Sequence, residues 1–137
     1  MNHASDVREG DELGPVEVTP DLETGRRYCA LMGVSIPFFY DEEAARAQGM
    51  PGPIVPGPLK LGLITRVVEE WLGEAGFVRQ VRGAHRRPDL AGRPITIAGR
   101  VARVYEEDGH RRADLEVAVV NEGGEPSVRA FVAVEWL

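Results

Sequence analysis

The stretch Pro58–Leu72, PLKLGLITRVVEEWL, carries the strongest helical pattern in the chain, and the rest of the fold can be read outward from it. Leu59, Leu63, Val67 and Trp71 follow an i+4 row, while Leu61, Ile64, Val68 and Leu72 widen the apolar face until it nearly surrounds the helix. A surface helix would carry more polar positions, so this one is expected to be buried along much of its length. Gly62 is expected to let another backbone approach it closely.

After Gly76 the character changes. Phe77–Gly83, Pro94–Glu106, Arg111–Val120 and Val128–Trp136 are rich in valine and alternate with a period of two, which predicts strands. Asp108-Gly109 and Gly123-Gly124 are hairpin signals between the last three. Upstream, Val16-Glu17-Val18 reads as a short strand. Thr19-Pro20-Asp21 then offers a cap, a first-turn proline and an early acid for a helix running to about Met32 and stopping at Gly33. Asp41-Glu42-Glu43 opens a second, short helix that Gly49 closes, and Pro51-Gly52-Pro53 makes a turn. A long apolar helix followed by an antiparallel meander predicts a single α+β domain over residues 1–137, with a sheet wrapped around a central helix.

Composition narrows the function classes. The net charge of −6 argues against general nucleic-acid binding, and no apolar run reaches the length needed to span a bilayer. The opening stretch MNHASDVREGDELG lacks the basic-then-apolar layout of a secretion signal, so a cytoplasmic protein is expected. One cysteine, Cys29, cannot form an internal disulfide or a multi-thiolate metal site, and no metal is expected. It reads as a small buried helix residue. Arg79, Arg82, Arg86, Arg87, Arg93, Arg100 and Arg103 crowd into one part of the chain. They read either as strand surface paired with glutamates or as a local anion site, since guanidinium forks suit phosphate oxygens.

Several motifs stand in a fixed order along the chain: GDELGPVEVT at Gly10–Thr19, Tyr28 and Gly33 leading into a loop framed by Pro37 and Asp41, and the Ile54–Gly57 turn IVPG. The central helix follows, then RRPDLAGRPIT at Arg86–Thr96, GRVARV at Gly99–Val104 and VVNEGGE at Val119–Glu125. In these, across nearly its whole length, the chain resembles the MaoC-like (R)-specific enoyl-CoA hydratases, which have the hotdog fold. In the family the loop typically reads Gly-Asp-x-Asn-Pro-(apolar)-His-x-Asp. Here it reads Gly33-Val34-Ser35-Ile36-Pro37-Phe38-Phe39-Tyr40-Asp41. The frame matches, but Val34 and Phe39 stand where the resemblance places the catalytic aspartate and histidine, and Ile36 replaces the asparagine. These side chains have no proton to give and no lone pair to offer. Loss of general acid–base help costs about 10²–10⁴-fold per positioned group.

The resemblance implies that a thioester oxygen would be held by backbone N–H groups at the start of the central helix. Pro58 has no N–H, so Gly57 and Leu59 are the local donors; alternatively Gly57 simply allows a tight turn. Val34, Ile36, Phe39 and Tyr40 would then shape the acyl pocket, and Arg86 and Arg87 its anionic end. Among replacement acid–base groups, Asp41 and His85 are the candidates, although Asp41 also suits a helix cap. His110 reads as hairpin surface, Glu69 and Glu70 as a solvated helix stretch, and Phe38, Phe39 and Trp71 as core or interface aromatics.

Three functions are compatible with this pattern. The first is the tunnel-forming subunit of a heteromeric enoyl-thioester hydratase or dehydratase (a hydro-lyase) whose partner supplies the aspartate and histidine. The second is an active acyl-thioester enzyme, such as a thioesterase, using other residues. The third is a non-catalytic protein that binds acyl-CoA or another apolar ligand. All imply an acyl-CoA or acyl-phosphopantetheine ligand or a similar apolar one, no cofactor, and pairing with itself or with another hotdog subunit.

Overall fold

The computed structural model describes residues 3–137; Met1 and Asn2, the start of the stretch read for a secretion signal, lie outside them. The elements follow in the order β1 (Glu12–Val18), α1 (Leu22–Met32), a 3-10 turn (Pro37–Phe39), α2 (Glu42–Ala47), α3 (Gly57–Leu72), β2 (Gly76–His85), β3 (Ile95–Glu107), β4 (His110–Val120) and β5 (Pro126–Trp136). The strands form one antiparallel sheet in the order β1-β3-β4-β5-β2. The expected layout of helix α3 against a meander is therefore observed, with β2 joining the far side of the sheet beside β5 rather than beside β3.

Local chemistry explains the boundaries. Asp21, not Thr19, is the cap of α1: its Oδ1 accepts the Thr24 N–H at 2.7 Å, leaving Pro20 outside the helix. Gly33 ends α1 in the left-handed region at φ 68°, which a glycine adopts without steric cost. Asp41 Oδ1 accepts the Ala44 N–H at 3.1 Å and so caps α2. The β3–β4 hairpin turns at Asp108 and Gly109, both with positive φ. In the β4–β5 loop the Asn121 side chain accepts the N–H groups of Gly123 and Glu125. Strand β1 is longer than Val16–Val18 because it continues past a shift in register between Leu13 and Val16.

Helix α3 packs one side into the sheet. Lys60, Ile64, Val67, Val68 and Leu72 are buried, whereas Leu59, Leu61, Leu63 and Trp71 are half-buried. The opposite side, with Pro58, Gly62, Arg66, Glu69 and Glu70, is exposed. Burial is thus one-sided rather than all-round. Nothing lies near Gly62, so it serves no close backbone approach within this chain. Beneath the helix, Ile95, Ile97, Leu115, Val119, Val128 and Val132 form the floor of the core. Trp71 meets Trp136 edge-on, with ring centroids 6.4 Å apart.

Two edges of the sheet are open. Strand β1 is short, irregular and contains Pro15, which blunts it; β2 spans ten residues without a proline. No helix is long and apolar enough to cross a membrane among the described residues.

Candidate functional site

Three loop positions that match the family frame have structural tasks. Gly33 turns the chain out of α1, and the Val34 N–H donates to the Cys29 carbonyl at 2.9 Å. Pro37 starts the 3-10 turn, and its carbonyl accepts the N–H of Asp41 at 2.8 Å. Between them, Val34, Ile36, Phe38 and Phe39 present apolar side chains. Val34 is half-buried, while Ile36 is 44% exposed beside exposed Leu31 and Met32. Phe38 and Phe39 meet edge-to-face at 4.6 Å.

A hollow of about 350 Å³ opens where this loop meets the start of α3. Phe38, Phe39, Ile54 and Val55 form its apolar side; Gly57, Lys60, His85 and Arg87 lie opposite. The hollow therefore gathers Phe39, Gly57, His85, Arg86 and Arg87 of the residues singled out in the sequence. Val34, Ile36, Tyr40, Asp41 and Leu59 do not line it. Tyr40 instead ends the 3-10 turn and offers its carbonyl to Arg26 Nη2 at 3.3 Å. Asp41 is engaged as the α2 cap.

His85 is the one imidazole here. Its ring lies flat against Gly57: a Cβ built on that glycine would stand 3.0, 3.1 and 3.3 Å from Cε1, Nε2 and Nδ1. Gly57 thus makes room for a ring, a role that neither a tight turn nor an N–H donor predicts. Partial burial, followed by the charge of Lys60, lowers the His85 pKa below the ordinary imidazole value. A neutral ring both donates and accepts. Beside it, the first N–H groups of α3 have no intrahelical partner, as at any helix start.

The residue that sequence reasoning missed is Lys60. Its side chain is almost fully buried, and Nζ donates to Asp89 Oδ2 at 3.0 Å and to the Arg87 carbonyl at 3.2 Å. The Asp89 carbonyl in turn accepts the Val55 N–H at 2.8 Å. This tie pins Arg87–Asp89 to the start of α3 and fixes the far wall of the hollow. The available signal was spacing: Lys60 stands four residues before Ile64 in the row that goes on to Val68 and Leu72. Cys29 is buried in α1, and burial pushes its thiol pKa up, which makes it inert. No cluster suited to a metal ion occurs among the described residues.

The arginine-rich region is sorted by the structure. Arg79, Arg87, Arg93 and Arg100 pair with Glu135, Glu125, Glu122 and Glu116. Arg103 stacks over Tyr105, and Arg82 over Phe131 at 4.5 Å from the ring centre. The surface-pairing expectation therefore holds for most of the group.

With a long helix lying on one face of a five-stranded sheet in this strand order, comparison with solved structures decides the architecture. The chain has the hotdog fold. It is similar to the ChsH1-ChsH2 complex from Mycobacterium tuberculosis, with a TM-score of 0.84 at 21% identity over 95% of this chain and 98% of that one. The (R)-hydratase from A. caviae involved in PHA biosynthesis gives a TM-score of 0.87 at 18% identity over 96% and 98%. The HadBC (3R-hydroxyacyl-ACP dehydratase) complex from Mycobacterium tuberculosis gives 0.81 at 20% identity over 93% and 96%. The fold is thus that of MaoC-like hydratases and dehydratases, heteromeric complexes included. No protein-family model and no curated protein matches the sequence.

Proposed function

We propose that this chain is the tunnel-forming subunit of a heteromeric enoyl-thioester hydratase or dehydratase, with a second hotdog subunit supplying the acid and base. The observation that carries this reading is the loop Gly33–Asp41. Its frame is fully built, yet the positions expected to hold aspartate and histidine are Val34 and Phe39, on a segment that presents Leu31, Met32 and Ile36 to solvent. The apolar side of the hollow, Phe38, Phe39, Ile54 and Val55, suits an acyl chain, and the exposed apolar Leu31, Met32 and Ile36 suit a partner. The open β2 edge gives such a partner a strand to pair with. The heteromeric assemblies among the similar solved structures are the precedent. The ligand is an acyl thioester of coenzyme A or of carrier-bound phosphopantetheine, in the cytoplasm.

The test is to assay crotonyl-type and bulkier enoyl thioesters with the purified chain, and with the chain combined with a hotdog subunit that carries the aspartate and histidine. Turnover is expected only from the combination, with the chain alone slower by about 10²–10⁴-fold or more. Robust hydration by the isolated chain overturns the proposal.

A second reading draws on His85, a neutral imidazole at the mouth of the hollow beside the start of α3. In that reading the chain acts alone: His85 takes a proton from the water that attacks the thioester carbonyl and returns it to sulfur as the C–S bond breaks and the thiol leaves. Thioester hydrolysis by the isolated chain that is abolished in His85→Gln would favour it. Hydrolysis unchanged in that variant, or none at all, removes it.

A further inference from the structure

A larger hollow, of about 890 Å³, lies on the other face of the sheet from α3. On β5, Val128, Ala130, Val132 and Val134 join the core, so Arg129 and Phe131 face outward. The cross-strand row Ala84, Arg129, Ala118 and Ala98 runs along this face, and the next row is Arg82, Phe131, Glu116 and Arg100. The alanines make a low floor, and the longer side chains around it make a trough. Glu12 lines its β1 end.

The charges in the trough do not cancel. Arg100 is held by Glu116 at 3.0 Å. Arg82 stacks on Phe131, an arrangement that leaves the in-plane N–H groups of a guanidinium available. Arg86 and Arg129 have no ion-pair partner among the described residues, in a chain where most neighbouring arginines are paired. Arg82 and Ala84 lie opposite Phe131 and Arg129, and Arg86 follows just beyond β2. Arg82, Arg86 and Arg129 therefore surround Ala84 on one face. Guanidinium forks suit the oxygens of phosphate groups.

Arg86 also lines the hollow that holds His85. One residue thus borders both spaces, just beyond the end of the open β2 edge. We propose that the trough is an anion site for the phosphate groups of a phosphopantetheine-borne thioester, held by Arg82, Arg86 and Arg129, with the acyl end reaching the α3 hollow. This rests on the thioester reading above. It moves the anionic end of the site from Arg87, which is occupied by Glu125, to Arg129 and Arg82 on the outer face.

Calorimetric titration of the full chain tests the site, using coenzyme A, adenosine 3′,5′-bisphosphate and 4′-phosphopantetheine as separate probes. Coenzyme A is expected to bind, more weakly at high salt, and Arg82→Ala, Arg86→Ala and Arg129→Ala are each expected to weaken it about tenfold. Arg66→Ala, on the exposed side of α3, should leave it unchanged. Binding of the adenosine bisphosphate points to free coenzyme A. Binding of phosphopantetheine alone points to a carrier-borne arm; either supports the site. Arg86→Ala lies beyond the strand and keeps the test valid if a strand variant fails to fold. Failure of every probe to bind, or binding indifferent to all three substitutions, overturns the proposal. Turnover by the heteromer without arginine-dependent phosphate binding removes this site and leaves the hydratase reading standing. Arginine-dependent binding without turnover does the reverse.

Discussion

The His85 ring rests on Gly57 so closely that any side chain at position 57 would displace it. The ring is the movable partner, because it ends a flexible side chain, whereas Gly57 is fixed at the first turn of α3. In Gly57→Ala the helix should form as well as before, with stability changed by less than about 1 kcal/mol. The imidazole, pushed toward solvent, should titrate closer to the ordinary histidine value. Proton NMR of the ring reads this directly. An unmoved titration would show that the contact does not place the ring.

The same ring sets a pH response. Its folded-state pKa lies below the ordinary imidazole value of 6.5, chiefly through partial burial and then through Lys60. The unfolded chain therefore takes up the proton more readily than the folded one. Stability should fall as pH drops below about 6.5 and level off once pH passes the lower folded value. His85→Gln should remove that component. Urea unfolding of both proteins across this window is the measurement, and parallel stability curves would contradict the assignment.

Lys60 and Asp89 have side chains only 2% and 3% exposed, so neither charge has water to fall back on. Replacing one partner by alanine should cost about 3–5 kcal/mol, because the other charge is stranded. Lys60→Met combined with Asp89→Leu should recover most of that loss. A double-mutant cycle by chemical denaturation tests it. Additive losses would mean that the two side chains do not act as a pair.

Two glycines should respond with opposite signs. A Cβ on Gly99 would meet the Glu116 carbonyl oxygen at 2.5 Å, a backbone atom that cannot swing away. Gly99→Ala should therefore destabilise by about 1–3 kcal/mol. Gly62 sits in α3 with open space around it, so Gly62→Ala should stabilise by about 0.5–1 kcal/mol. Thermal melts of the two variants suffice. Equal shifts in the same direction would refute the contrast.

The strands and helices were legible in the sequence because their signals are local. Valine alternation marked β2 to β5, Asp108-Gly109 marked a hairpin, and Gly33 and Asp41 marked helix ends. The site was legible only in part. Phe39, Gly57, His85, Arg86 and Arg87 do meet in one hollow. Lys60 was hidden because a lysine in a helix ordinarily leaves its charge in water. Its burial depends on Asp89, 29 residues further along the chain. The packing of His85 on Gly57 is likewise a contact between distant segments. Periodicity also misjudged which leucines go inside, since Leu59 and Leu63 turn out half-buried beside a fully buried lysine.

That last point gives the Lys60–Asp89 tie a second meaning. On α3 the half-buried Leu59, Leu61, Leu63 and Trp71 flank the buried row, so the polar side with Arg66, Glu69 and Glu70 sets the helix angle only coarsely. Each residue step turns an α-helix by roughly a quarter revolution. Rotating α3 by one step either way would bring leucines inward together with Glu69 or Arg66, and would part the Lys60 ammonium from Asp89, leaving each without its counter-ion. A single charge pair thus works as a keyway that admits the helix at one angle, and with it sets which face of α3 looks outward.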